Sequence, residues 1–110
     1  MLYDFIAECD TLYPNTVSYS QKKKWLDKLE KKLREKFTVT FDFVIEDTVA
    51  PYPYDDIYVE YLKMKCAEAS GDIVRYNNYL SAYAYAFDEL SAYIVRKFKR
   101  KDKAGWKNVL

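Results

Sequence analysis

A chain of 110 residues has room for one domain around one core, and a hydrophobic share of 50% argues against disorder. With 18 basic and 17 acidic side chains the formal charge is +1, without the basic excess of a dedicated nucleic-acid binder. Two cysteines give no secreted disulfide framework, and two glycines and three prolines favour long regular elements over turn-rich β architecture. Twelve tyrosines supply large apolar faces with polar tips, suited to core edges and to interfaces.

The N-terminus, Met1-Leu2-Tyr3-Asp4-Phe5, lacks the basic and apolar regions of a signal peptide, and no apolar run reaches transmembrane length. Cys9 and Cys66 are therefore expected to be reduced, semi-buried thiols of a protein made in a cytoplasm. Leu2, Phe5, Ile6, Cys9, Leu12 and Tyr13 fall at helical spacing, and Pro14-Asn15 stops this first helix. Ser18 and Gln21 make a capping box for a second helix. One of its faces carries Trp25, Leu26, Leu29, Leu33 and Phe37. The other is rich in lysine, with Asp27 and Glu30 placed four residues before Lys31 and Arg34.

At Thr38 the period changes to two. Val39, Phe41, Phe43 and Ile45 alternate with Thr40, Asp42, Val44 and Glu46, which predicts a half-buried strand over 38–46. Residues 47–52 offer only a weak hairpin partner, so the strand is expected to pair with one from another chain, an arrangement that makes Val39, Phe41, Phe43 and Ile45 candidate interaction residues. A proline-punctuated connection, Ala50-Pro51-Tyr52-Pro53-Tyr54, leads to a third helix opened by Asp55-Asp56, running through Ile57, Tyr61, Leu62, Met64 and Cys66, and stopped by Ser70-Gly71.

The fourth helix is the longest, predicted from Asp72 to about Arg100 and roughly 43 Å long at 1.5 Å per residue. Ile73, Tyr76, Leu80, Tyr83, Phe87, Leu90 and Ile94 form its heptad-like seam. Together with Trp25, Leu29, Leu33, Tyr61 and Leu62, the seam makes up the expected core. So long a rod exceeds what three short partners need for cover, so part of its flank is expected to meet another subunit. For Tyr79 and Tyr85 an interface and plain exposure both fit. The fold class that follows is mostly α: a small bundle of about four helices with a long C-terminal helix and a short β-strand or hairpin insertion. Residues 1–110 form a single helical domain. Its basic tail at 97–110 can be flexible and carries Trp106 as a candidate anchor.

Catalytic chemistry has little to stand on. The chain has no histidine, two isolated cysteines and no glycine-rich loop. The pairs Asp55-Asp56 and Asp88-Glu89 are adjacent in sequence and diverge on a helix. No catalytic residue, metal or cofactor is expected, and the chain is read as a non-enzyme.

Asp56-Ile-Tyr-Val-Glu-Tyr-Leu-Lys-Met-Lys65, with Arg75-Tyr76-Asn77-Asn78, Ala82-Tyr83 and Phe87 downstream, resembles the small head–tail connector (adaptor, or neck) proteins of tailed bacteriophages and prophages of Gram-positive bacteria. The resemblance is strongest over residues 51–95 and weak before residue 37. It implies a ring of identical subunits docked under the portal, with the tail attached below. The partners would then be other copies of the chain and the portal and tail-completion proteins. The place would be the virion head–tail junction after synthesis in the host cytoplasm. No membrane is involved, and any DNA contact is expected to be non-specific. A different class remains open: a cytoplasmic helical module that binds nucleic acid or a regulatory protein through Lys22–Lys36 and the basic tail. A third reading is a small phage or prophage protein acting in the host outside the virion.

Overall fold

The structure is a computed structural model that describes residues 1–101. Trp106 and most of the basic tail lie outside the described residues. Four helices follow in chain order: α1 (Asp4–Leu12), α2 (Tyr19–Thr40), α3 (Asp56–Ser70) and α4 (Ile73–Lys97). The mostly helical class expected from the sequence is what the chain adopts.

Local chemistry sets the helix ends. Tyr13 and Pro14 end α1, and Asn15 organises the turn: its amide donates to Asp10 Oδ1 and to the Tyr13 carbonyl, and its Oδ1 accepts from Val17 N. Ser18 caps α2 by accepting from Gln21 N at 3.1 Å, as the sequence predicts. Gly71 closes α3 in the left-handed region (φ 76°), where a side chain would be strained. Its N–H and that of Asp72 satisfy the Glu68 and Ala67 carbonyls. Asp72 then caps α4 through Arg75 N at 3.1 Å.

The core sits around α3, which packs on all three other helices. Ile57, Tyr58, Val59, Leu62, Met64, Cys66 and Ala67 are all buried on it. Ile6 and Cys9 of α1 and Leu26, Leu29, Leu33 and Phe37 of α2 close over it, and Trp25 and Tyr61 are half-buried at the edge. Leu29, Leu33, Leu62, Leu90 and Ile94 are thus core residues, as expected.

The predicted strand over 38–46 is corrected. Helix α2 continues through Thr38-Val39-Thr40, and the Thr38 hydroxyl donates to the Arg34 carbonyl one turn back. Continuing the helix puts Phe37 and the capping residue Phe41 four apart on the buried side, and burying both rings overrides the weak β preference of Thr-Val-Thr. Val39 is left 74% exposed. From Phe41 the chain is extended, and the inward–outward alternation holds: Phe41 is buried, Phe43 and Ile45 half-buried, Asp42 and Val44 exposed. Within the chain, the start of this segment pairs with the residues after α4 and not with a hairpin partner. Phe41 and Arg100 form one antiparallel bridge, with Asp42 N donating to Lys99 O at 2.7 Å and Lys101 N to Thr40 O at 3.0 Å. Helix α4 consequently ends at Lys97 and not near Arg100, releasing Phe98 into an extended conformation.

The α4 seam is corrected at its N-terminal half. Leu90 and Ile94 are fully buried, and Tyr76, Tyr83 and Phe87 are half-buried, but Ile73 is 71% and Leu80 39% exposed. Tyr79 takes the place assigned to Leu80: its ring meets the edge of Tyr13 at 5.4 Å with Lys63 Nζ over its face. Rings reach across the gap to α3 where Leu would not.

Two stability measurements check these corrections. Leu90→Ala should cost about 2–5 kcal/mol in urea denaturation, whereas Ile73→Ala should stay within about 0.5 kcal/mol of wild type. Asp42→Pro removes the donor of the 2.7 Å bond, and Phe41, at φ −121° and ψ 153°, already has the backbone a following proline requires. It should lower stability by about 1–2 kcal/mol.

Candidate interaction surfaces

The segment between α2 and α3 is shaped by a buried acid that sequence reasoning missed. Glu30 is 9% exposed on α2. One carboxylate oxygen accepts from Val49 N at 2.9 Å and the other from the Tyr58 hydroxyl at 2.5 Å. The same Tyr58 oxygen accepts from Ala50 N at 3.0 Å. Val49, Ala50 and Tyr58 are all at 0% exposure, so a loop carries two consecutive backbone N–H groups into the core and finds acceptors for both there. Burial, followed by the bond to Glu30, raises the Tyr58 phenol above its ordinary value of 10.0. The periodic signal of Glu30 matched a surface charge pair; the loop bonds that bury it carry no sequence signature.

Fixed in this way, the loop forms one wall of a cleft of about 550 Å³, and the C-terminal end of α4 and its exit form the other. Phe43, Tyr93 and Phe98 line it as a ring cluster, with Phe43 and Phe98 edge to face at 4.7 Å. Glu46, Asp47 and Asp55 bring acid to the wall. The Met1 ammonium meets Asp47 and Asp4 at 3.3 Å each, and Lys97 lies over the Tyr93 and Phe98 rings. Glu46 and Asp55 have no ion-pair partner among the described residues. Burial raises the Asp55 carboxyl above its ordinary range.

A second surface runs along α4. Ile73, Leu80, Ala84 and Val95, spaced seven, four and eleven apart, share one flank of α4 beside its packed seam, interrupted by Asn77, Asp88 and Ser91. Ile73 and Val95 are 71% and 61% exposed, and Val74 and Tyr85 flank the stripe in the open. Among the residues expected to interact, Tyr85 is therefore on an open surface, as is Val39. Phe41, Phe43, Ile45 and Tyr79 pack inward against their own chain, and Trp106 lies outside the described residues.

Away from the cleft lie Cys9 and Cys66, both free and fully buried. Each thiol is the main influence on the other: with burial, Cys66 raises the Cys9 thiol, and Cys9 lowers that of Cys66. Lys22, 2% exposed, sits beside them with its ammonium 2.6 Å from Asp10. Among the described residues no three His, Cys, Asp or Glu side chains converge as a cation cage, and no helix is long and apolar enough to cross a membrane.

Glu30→Ala leaves two buried donors without an acceptor and should cost roughly 2–5 kcal/mol by denaturant titration. For Tyr58 the sign follows from the raised phenol: the folded state favours the neutral form, so its contribution is whole below pH 10 and lost as pH rises above it. Tyr58→Phe should therefore cost about 1–3 kcal/mol at neutral pH and flatten the alkaline limb of the stability profile.

Comparison with known proteins adds no relative: no family model matches the chain, and no curated protein or solved structure matches it.

Proposed function

We propose that the chain is a structural assembly subunit that binds other protein subunits, serving as a head–tail connector of a tailed phage or prophage in a ring between portal and tail. The observation that carries the assembly reading is the set of exposed apolar residues on the flank of α4. Ile73, Leu80, Ala84 and Val95 lie along one flank of a 25-residue helix, beside the seam that packs on the bundle. Exposed apolar side chains on a regular element favour burial against a partner, because each one removed from water contributes in proportion to its area. The connector identity is supported by the residues in 51–95 that resemble that family, most of which fall on α3 and α4. The ring would repeat one heterologous contact between copies.

The lysine-rich face of α2 supports a second reading. Lys24, Lys28, Lys31, Lys32, Arg34 and Lys36 are exposed there, an arrangement suited to phosphate or to an acidic protein.

Sedimentation and native mass spectrometry, alone and with a portal assembly, separate the two. The connector reading expects self-association or portal binding that the double variant Ile73→Glu/Leu80→Glu weakens at least about tenfold while the far-UV circular dichroism stays unchanged. A chain that stays monomeric, ignores the portal and binds duplex DNA with steep salt dependence would replace it with the second reading.

A further inference from the structure

We infer that the aromatic, acid-walled cleft between the 43–55 loop and the end of α4 is a docking site for the Trp106 tail of a second copy of this chain. The inference rests on the self-assembly reading above and names the contact that would join one copy to the next.

The cleft has the size and chemistry of a socket. Its volume of about 550 Å³ suits an indole and its neighbours, within the range of ordinary ligand pockets. Phe43, Tyr93 and Phe98 offer ring edges and faces to another aromatic group. Glu46 and Asp55 add two carboxylates that meet no cation among the described residues. A partly buried carboxylate without a counter-ion favours a cationic visitor, and the raised Asp55 carboxyl agrees with that. The matching plug is in the same sequence. Lys101-Asp-Lys-Ala-Gly-Trp-Lys-Asn-Val-Leu110 carries three lysines and one acid, with Trp106 next to Lys107 and apolar Val109-Leu110 beyond. Tryptophan is among the residues most enriched at interface hot spots.

The bridge after α4 directs the described chain away from its own cleft. Residues 99–101 run antiparallel to 40–42, so the chain leaves Phe98 at the cleft rim and arrives at Thr40, on the far side of the bridge. The described chain thus ends on the side of the bridge away from its own cleft, and in the assembly proposed above a neighbour's cleft is the one offered to the tail. The result is a heterologous contact in which each copy gives one tail and receives one.

The test uses full-length chains of two kinds. One carries Trp106→Ala and keeps its cleft. The other carries Val44→Lys/Glu46→Lys, both at exposed cleft positions, and keeps its tail. Each alone should self-associate at least about tenfold more weakly than wild type, with unchanged circular dichroism. Mixed, they should form a species with one copy of each, because one working tail meets one working cleft. Carbodiimide cross-linking of isotope-labelled with unlabelled wild type should join Lys103 or Lys107 to Glu46 or Asp55 between copies. Cross-links of this kind found only within one copy would overturn the inference, as would either variant assembling like wild type or a mixture that forms no pair. The Ile73→Glu/Leu80→Glu variant separates the two levels. Should it alone abolish assembly while the tail and cleft variants assemble normally, the docking site falls and the assembly reading stands. A wild type that is monomeric under all conditions, with and without the portal, removes both.

Discussion

The bond set centred on the Glu30 carboxylate is the constraint on which the remaining architecture depends. An ionisable group held at 9% exposure is costly unless its lone pairs are used, and here both oxygens take strong donors. The donors come from two different parts of the chain, the loop backbone at Val49 and the α3 side chain of Tyr58, so one carboxylate ties α2 to both. Tyr58 in turn accepts from Ala50 N, which leaves two adjacent amides of the loop satisfied away from water. Phe5 stacks on the Tyr58 ring at 5.1 Å and adds α1 to the same joint. A well-packed apolar substitute could fill the volume but would not accept from Val49 N or from the Tyr58 hydroxyl, so the loop would have to move out to water.

The position of the loop has consequences at both its ends. Tyr54 stacks on Tyr93 at 4.6 Å and Phe43 meets Phe98, so the loop covers the stretch of α4 in which Leu90 and Ile94 are fully buried. The other half of α4 has no such cover and relies on α3 with Tyr13, which is why burial along the seam declines from Ile94 to Ile73. The exposed stripe and the cleft are therefore two products of one arrangement. The loop closes over one end of a long helix, walls a cleft there, and leaves the other end open.

Much of this was legible from residue patterns, and what was not has definable physical causes. Ser18, Gly71 and Pro14 act through local backbone chemistry, so the ends of α1, α2 and α3 could be read directly. The period-two pattern from Phe41 to Glu46 was also real as an inward–outward alternation, although only one bridge forms. What misled was Thr38-Val39-Thr40, where local β preference competes with burial of Phe37 and Phe41, a tertiary term invisible in a short window. At Leu80 the α4 seam departs for a related reason: Leu80 and Tyr79 are adjacent, both fit an apolar stripe, and the choice depends on Tyr13 and Lys63 from other elements. The Glu30 site was not legible at all, because a glutamate four residues before Arg34 on a lysine-rich helix looks like a surface pair. Cys9 and Cys66 could be expected to be buried; that they meet required the packing of α1 on α3.

Pairing the extended segment with the chain's own residues 99–101 changes how this molecule can assemble. An open strand from 38 to 46 would have offered a neighbour a row of backbone donors and acceptors, a contact almost indifferent to side chains and prone to unlimited growth. The Phe41–Arg100 bridge and its two flanking bonds occupy part of that row within one chain. In the assembly proposed above, contacts between copies would be specified by side chains, with the cleft of one copy receiving the tail of the next. Such unlike partners favour a head-to-tail arrangement over a two-fold one. Such an arrangement ends in a ring or a filament according to the rotation between neighbours. On an elongated body of 53 × 27 × 21 Å, the angle between the docked faces sets that rotation.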